Sequence, residues 1–206
     1  MYSIILISFS ISSYSQFEEE IKESLTYKPK LTFRYDSRNS IISNRGARIN
    51  SFKTGLEYNN ILTFGVGYDW LSSDIKRNKF LIENDHIVDT IDMFLKLKYI
   101  SLYTEYKFYR DKKWEFYLPV SFGIGTAYYR YYYNTSYINE KYTLALIYET
   151  NMIGQYKIIP YLAVGAGVGY RIMIKGNSMT NENFTSSVYI VKIKLLFSQI
   201  ISDLSK

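Results

Sequence analysis

The one histidine of the chain, His86, stands in "IENDHIVD". Ser72, Ser73 and Asp74 precede it in the same polar stretch, residues 71–90. Serine, histidine and aspartate are the nucleophile, base and orienting group of acyl transfer. A lipid-modifying active site can therefore be written from these residues, which a barrel would place at its rim. No G-x-S-x-G turn frames a serine, and a lone histidine in a polar loop reads more simply as a solvated residue. Asp85, His86 and Asp89 offer carboxylates and an imidazole to a cation. They lack a second histidine and the glycine pattern of a calcium loop, so no metal is assigned. Asn134-Thr135-Ser136 fits a glycosylation acceptor, a reading that needs a eukaryotic secretory host. Cysteine is absent, which excludes a disulfide framework, thiol chemistry and a thiolate zinc site. The sequence thus assigns no catalytic residue, cofactor or metal, and the expectation is a protein that is not an enzyme.

The remaining chemistry is ionic and aromatic. The 206 residues carry 25 Lys+Arg against 19 Asp+Glu, a formal net charge of +6. The cations form no dense run, so nucleic acid is not an expected partner. Tyrosine occurs 23 times and phenylalanine 12 times, and "AYYRYYYNTSY", residues 127–137, gathers six of those tyrosines. Buried phenols each need a polar partner, so a surface that is apolar at one end and wet at the other suits such a run. Mean hydropathy is −0.15, too low for a bundle of membrane helices.

These groups must be positioned by strands. In "ILTFGVGYDW", Leu62, Phe64, Val66, Tyr68 and Trp70 share one phase, while Thr63, Gly65, Gly67 and Asp69 share the other. "WEFYLPVSFGIG" and "YLAVGAGVGY" repeat the pattern, and all three lead into Gly-x-Gly. Period-two alternation gives a strand with one apolar face and one small or polar face. Further strands fit residues 31–38, 48–58, 91–109, 142–156 and 185–197, for eight in all. A phase slip near Tyr99-Ile100, with Leu95 and Leu97 apolar before it, predicts a β-bulge. Asn59-Asn60, residues 110–113 and residues 157–159 are short connections; residues 39–47, 71–90, 134–141 and 174–184 are long ones. Short and long connections in alternation are the rhythm of an up-and-down membrane barrel.

A lipocalin-like soluble barrel would bury the apolar phase, and a membrane barrel would show it to lipid. The polar phase decides for the membrane barrel. It is rich in glycine, which weakens a solvated strand but makes room inside a narrow ring. It also carries both signs of charge: Arg34, Asp36, Lys53, Glu57, Asp69, Lys96, Lys98, Glu105, Lys107, Glu115, Glu149, Lys192 and Lys194. These are assigned to a side-chain-filled lumen. Leu62, Phe64, Val66, Phe116, Leu118, Phe122, Leu162, Val164, Val168, Ile193 and Leu195 are assigned to the lipid face. Tyr58, Tyr68, Trp70, Tyr109, Trp114, Tyr128 and Tyr170 form the aromatic girdle. Arg45, Arg48, Arg130 and Arg171, with Arg38 nearby, fall at the outer end, where lipid phosphates, those of lipopolysaccharide if the resemblance given below holds, would meet them.

The stretches "YISLYTEYKFYRDKKWEFYLPVSFGIGTAYY" and "KIIPYLAVGAGVGYR" resemble hairpins of the outer-membrane-protein β-barrel family, the small OmpA-like barrels of Gram-negative envelopes with their PorT-like branch. The likeness runs over residues 31–197. The last strand, "VYIVKIKLLF", resembles the aromatic-ended strand that barrel assembly machinery recognises, although "SQIISDLSK" follows Phe197 here. The resemblance implies an outer-membrane barrel with a structural or interaction role, and in the PorT-like branch an accessory role in protein secretion.

The remaining segments are read as processing and tail. "MYSIILISFSISSYSQ" has a short apolar run ending in small residues, the form of a secretory signal peptide over residues 1–15. Residues 16–29 place Phe17, Ile21 and Leu25 at i, i+4, i+8, a short amphipathic helix or a linker on the periplasmic side. The barrel spans residues 30–199 and a tail residues 200–206. The expected partners are outer-membrane lipid, lipopolysaccharide and an envelope protein, with the chain a monomer.

Overall fold

Alternation becomes strand almost wherever it occurs. The computed structural model describes residues 18–42, 45–83, 86–133, 135–175 and 184–195, backbone only for 81–83, 86–89 and 175. A short helix, α1 (residues 18–24), precedes nine strands. They are β1 (Lys30–Ile42), β2 (Arg45–Tyr58), β3 (Leu62–Leu71), β4 (Lys76–Glu83), β5 (His86–Arg110), β6 (Trp114–Tyr133), β7 (Ser136–Ile159), β8 (Leu162–Lys175) and β9 (Ser186–Leu195). All pairings are antiparallel; β9 returns to β1, and β3 closes on β5. A closed ring satisfies every backbone donor and acceptor without water, which a bilayer demands.

Nine strands make eight staves. β3 pairs with β5 from Tyr106 to Lys98, and β4 pairs with the same edge of β5 from Phe94 to His86. The two strands lie end to end against one partner. Residues 71–90, expected as a long loop, are therefore mostly a strand and half a hairpin. The expected loops at 39–47 and 134–141 are likewise drawn into hairpins, because β1, β2, β6 and β7 run on past the barrel wall. At the opposite end the turns are tight. Asn59 and Asn60 have φ of 45° and 57°, the paired left-handed conformation of a two-residue hairpin turn that asparagine tolerates.

Strand lengths divide the barrel into a tall and a short side. β5, β6 and β7 hold 25, 20 and 24 residues, against 13 in β1 and 10 in β9. At about 3.3 Å per residue, 10 to 11 tilted residues already cross a bilayer. β5 and β7 are more than twice that length.

The wall is apolar outside. Phe64 and Val66 are each 47% exposed, and Phe122 and Val168 each 57%, so the inward-greasy soluble barrel does not describe this molecule. Phe116, Leu118, Leu162, Val164, Ile193 and Leu195 share that outer face, half-buried or exposed. Leu62 departs from expectation and is buried. It pairs with Tyr106, whose hydroxyl donates to Glu20 of α1 at 2.9 Å, so the helix covers this corner of the wall.

β5 keeps one phase across the expected slip. Odd-numbered residues from Ile91 to Lys107 are buried and no slip occurs at Tyr99-Ile100. The bulge lies lower, between Lys107 and Tyr109. Leu95 and Leu97 face inward because the upper interior is apolar, as described below. By the same register Lys96 and Lys98 point outward, half-buried and exposed, and do not belong to the lumen.

Interior glycines sit beneath rings. A Cβ on Gly65 would lie 2.5 Å from the ring of Tyr103, and one on Gly123 would lie 2.5 Å from that of Tyr99. Gly65→Val is expected to destabilise the barrel by about 1–3 kcal/mol through overpacking. Gly46→Ala, with nothing within 4 Å of the new Cβ, should shift stability by less than about 0.5 kcal/mol. Denaturant midpoints of the detergent-folded proteins check both.

Candidate functional site

Inside the lower and middle barrel the polar phases of all staves converge. Seven cations (Arg34, Arg38, Lys53, Lys107, Arg171, Lys192, Lys194) and six carboxylates (Asp36, Glu57, Asp69, Glu105, Glu115, Glu149) are buried there among the described residues. They pair in a chain. Near the tight turns, Glu57 accepts from Lys107 at 3.0 Å and from Lys194, and Glu115 pairs with Lys107 at 3.1 Å and Lys157 at 2.7 Å. Higher up, Glu105 holds Arg34 and, at 3.2 Å, Lys192, while Asp36 lies 3.5 Å from Arg34 and 3.3 Å from Lys53. At the top Arg38 bridges Asp69 and Glu149, the latter at 3.0 Å, and Arg171 closes on Glu149 at 2.9 Å. Ser51 and Ser101 each donate to Asp69 at 2.6 Å. Tyrosine faces fill what remains, with Arg34 4.0 Å above the ring of Tyr103. The gap among Arg34, Asp36, Arg38, Lys53 and Glu149 measures about 10 Å³, at the limit of one water. This level of the lumen is packed and offers no open passage.

Arg171, expected among the outer phosphate contacts, is fully buried and tied to Glu149 and Ser40. Arg38 is likewise internal. Parity along the strand carries this information: Arg38 shares the phase of Arg34 and Asp36, and Arg171 that of Gly165, Gly167 and Gly169.

Above the ions the interior turns apolar. Ile42, Ile49, Leu71, Ile75, Met93, Leu95, Leu97, Ala145, Ile147 and Phe184 form one buried cluster with Tyr99, Tyr129 and Tyr131. Here "AYYRYYYNTSY" divides. Tyr129 and Tyr131 enter this core, and Tyr132 is 58% exposed outside it. Tyr128, expected in the girdle, is buried in the outer wall at a bulge, stacked on Tyr142 at 5.0 Å and capped by Arg130. At the mouth Lys79 donates to Glu140 at 2.7 Å, and this hydrogen bond raises the Lys79 ammonium above its usual range.

The outer wall changes character along its height. Phe52, Tyr68, Ile100 and Ile124 lie in one cross-strand row over β2, β3, β5 and β6. The next row up reads Asn50, Trp70, Lys98 and Thr126. Lys96 with Tyr128 follows, then Lys76, Phe94 and Arg130. Lys96 faces Asp74 at 3.6 Å, and Lys76 faces Asp92 at 3.1 Å. Arg48 is exposed on β2, and its Nε donates to Asn39 at 3.1 Å; Arg45 is exposed at the β2 tip. Aromatic rings crowd both ends of the apolar belt. Trp70 packs on Phe52 at 5.4 Å and Tyr68 at 5.9 Å. At the turn end Trp114 meets Tyr156 at 5.0 Å, and Tyr109 meets Phe116 at 5.7 Å. Tyr58 is half-buried beside Phe64 at 6.4 Å, and Tyr170 is exposed on β8.

The serine–histidine–aspartate reading does not assemble. Ser72 and Ser73 bond to the backbone of Arg48, whereas His86 pairs with Glu83 at the far tip of the β4–β5 hairpin. The eight residues of β4, about 25 Å of strand, lie between them. Asp85 and the side chains of His86 and Asp89 lie outside the described residues, as do residues 1–17 and 196–206.

No protein-family model matches the sequence, and no curated protein matches it. Solved structures do. Neisserial surface protein A aligns with a TM-score of 0.57 at 15% identity, over 81% of this chain and 96% of that one. The N-terminal barrel domain of Pseudomonas aeruginosa OprF aligns at 0.47, 8% identity, 82% and 98% coverage. Ail, the attachment invasion locus protein of Yersinia pestis, aligns at 0.45, 12% identity, 82% and 97% coverage. The first of these similarities shows that the chain shares the fold of an outer-membrane β-barrel.

Removing one carboxylate from the lumen strands its partners. Glu149→Gln leaves Arg38 and Arg171 facing a neutral amide, and Glu149→Leu leaves them without an acceptor there. The second change is expected to lower unfolding stability by about 3–5 kcal/mol, and the first by less. Lys98→Ala, on the outer wall, should alter it by under about 0.5 kcal/mol. Urea titration of the folded barrel in detergent separates the three.

Proposed function

We propose that the protein is an integral outer-membrane barrel with a structural and interaction role. Its lumen is packed with paired ions, its apolar belt lies in the bilayer, and its cations above that belt meet the phosphates of lipopolysaccharide. The observation that carries this reading is the change of residue type between two adjacent rows, from Tyr68, Ile100 and Ile124 to Trp70, Lys98 and Thr126. Lys96, Lys98, Lys76 and Arg130 stand at and above that line on one stretch of wall. Phosphate recognition by such groups is charge-assisted and depends on ionic strength. The tall side of β4 to β7 then projects beyond the membrane as the surface available to partners.

Two measurements test it. The unboiled protein should run faster than the boiled form on a detergent gel and should stay with membranes after washing. Release into the soluble fraction would refute the membrane assignment. Combined Lys96→Ala, Lys98→Ala and Arg130→Ala should weaken binding to lipopolysaccharide micelles by about tenfold or more, with the heat shift intact. Unchanged binding would remove the role given to these cations.

A further inference from the structure

Two cavities lie one above the other on the outer wall of β1, β2 and β3, and neither belongs to the lumen. The lower is an apolar groove of about 610 Å³. Thr54 forms its floor, paired with Phe33 on one side and Val66 on the other. Tyr35, Phe52 and Tyr68 rise around it, so one small side chain among large ones creates the depression. The groove faces the bilayer, where only a hydrocarbon chain matches its lining.

The upper cavity, about 450 Å³, is polar and is lined by Asn39, Gly46, Arg48, Ser72 and Ser73. Arg48 is held in place by hydrogen bonds that use its Nε and its backbone. Nε donates to Asn39 at 3.1 Å, the backbone N–H donates to Ser73 Oγ at 2.8 Å, and Ser72 Oγ donates to the Arg48 carbonyl at 3.1 Å. None of these bonds uses the terminal guanidinium nitrogens, which suit a phosphate in bidentate geometry. Six residues of β2 separate Arg48 from Thr54, about 20 Å along the strand. The row of Asn50 and Trp70 lies between them.

A polar pocket with a fixed arginine above an apolar groove is the outline of a phosphate-bearing amphiphile. We propose that this wall holds one resident lipid A molecule of the outer leaflet, with a phosphate on Arg48 and an acyl chain over Thr54. The inference rests on the reading that this end of the barrel lies in the lipopolysaccharide leaflet. It adds a defined site, apart from the Lys96, Lys98 and Arg130 face.

The test is native mass spectrometry of the full chain, purified in mild detergent after incubation with lipid A or, separately, with phosphatidylglycerol vesicles. Thr54→Trp fills the groove and Arg48→Ala removes the phosphate contact. Thr104→Trp adds the same ring on β5, away from both cavities. Wild type and Thr104→Trp should retain one lipid A. The two site variants should each lose about tenfold in occupancy, with the heat-dependent gel shift kept in all four. Equal retention by all four proteins would overturn the site. Tighter retention of phosphatidylglycerol than lipid A would overturn the identity of the lipid. A wild type without the gel shift would instead refute the membrane reading beneath both.

Discussion

Every ion in the lumen depends on a neighbour of opposite sign. Charges taken out of water are expensive, and here the compensation comes from staves across the interior. Arg38 on β1 is held by Asp69 on β3 and Glu149 on β7, while Lys194 on β9 reaches Glu57 on β2. These contacts cross the interior, so each ties together strands that share no backbone hydrogen bonds. The ring and its filling therefore specify one another. The staves bring the charges into register, and the charges hold the ring at a diameter that leaves about 10 Å³ unfilled among them.

The same logic explains the apolar exterior and the glycine-rich strands. A lumen that must hold guanidinium groups and tyrosine rings needs gaps in its own lining, and Gly65 and Gly123 supply them beneath Tyr103 and Tyr99. Outside, no such gaps are needed, and Phe, Val, Leu and Ile fill the opposite phase. Above the apolar belt the pattern changes. Paired ions inside give way to Leu95, Leu97 and Tyr129, and lysine and arginine appear on the outside. Within β5 alone the pattern inverts from polar-in to apolar-in while the strand keeps its phase.

That inversion marks the limit of what was legible. The eight-stave ring, the direction of its apolar face, the Asn59-Asn60 turn and most of the lumen ions follow from alternation and turn chemistry. Lys96 and Lys98 did not, because a change of environment along one strand looks in sequence like a change of register. Leu95 and Leu97 then suggested a bulge at Tyr99-Ile100, where the strand runs regularly. Arg38 and Arg171 were mislaid for a different reason. They stand near strand ends, where position suggests the rim, while parity places them inside. Leu62 is covered by α1 and Tyr128 by Tyr142 and Arg130, contacts between segments that no local pattern encodes. Residues 71–90 read as a loop because the outer face of β4, bearing Lys76 and Asn78, carries no lipid-facing signature.

The shared edge of β5 has a further consequence. β3 closes the ring, and β4 adds nothing to closure. Residues 72–75 between them act as a seam: below it, any change must keep the register of eight staves, and above it the β4–β5 hairpin answers to its own pairing and to the cap over the lumen. A lineage carrying this chain can lengthen, shorten or recharge that hairpin while the closed ring stays as it is. Outward appearance and anchoring are thereby placed under separate evolutionary control.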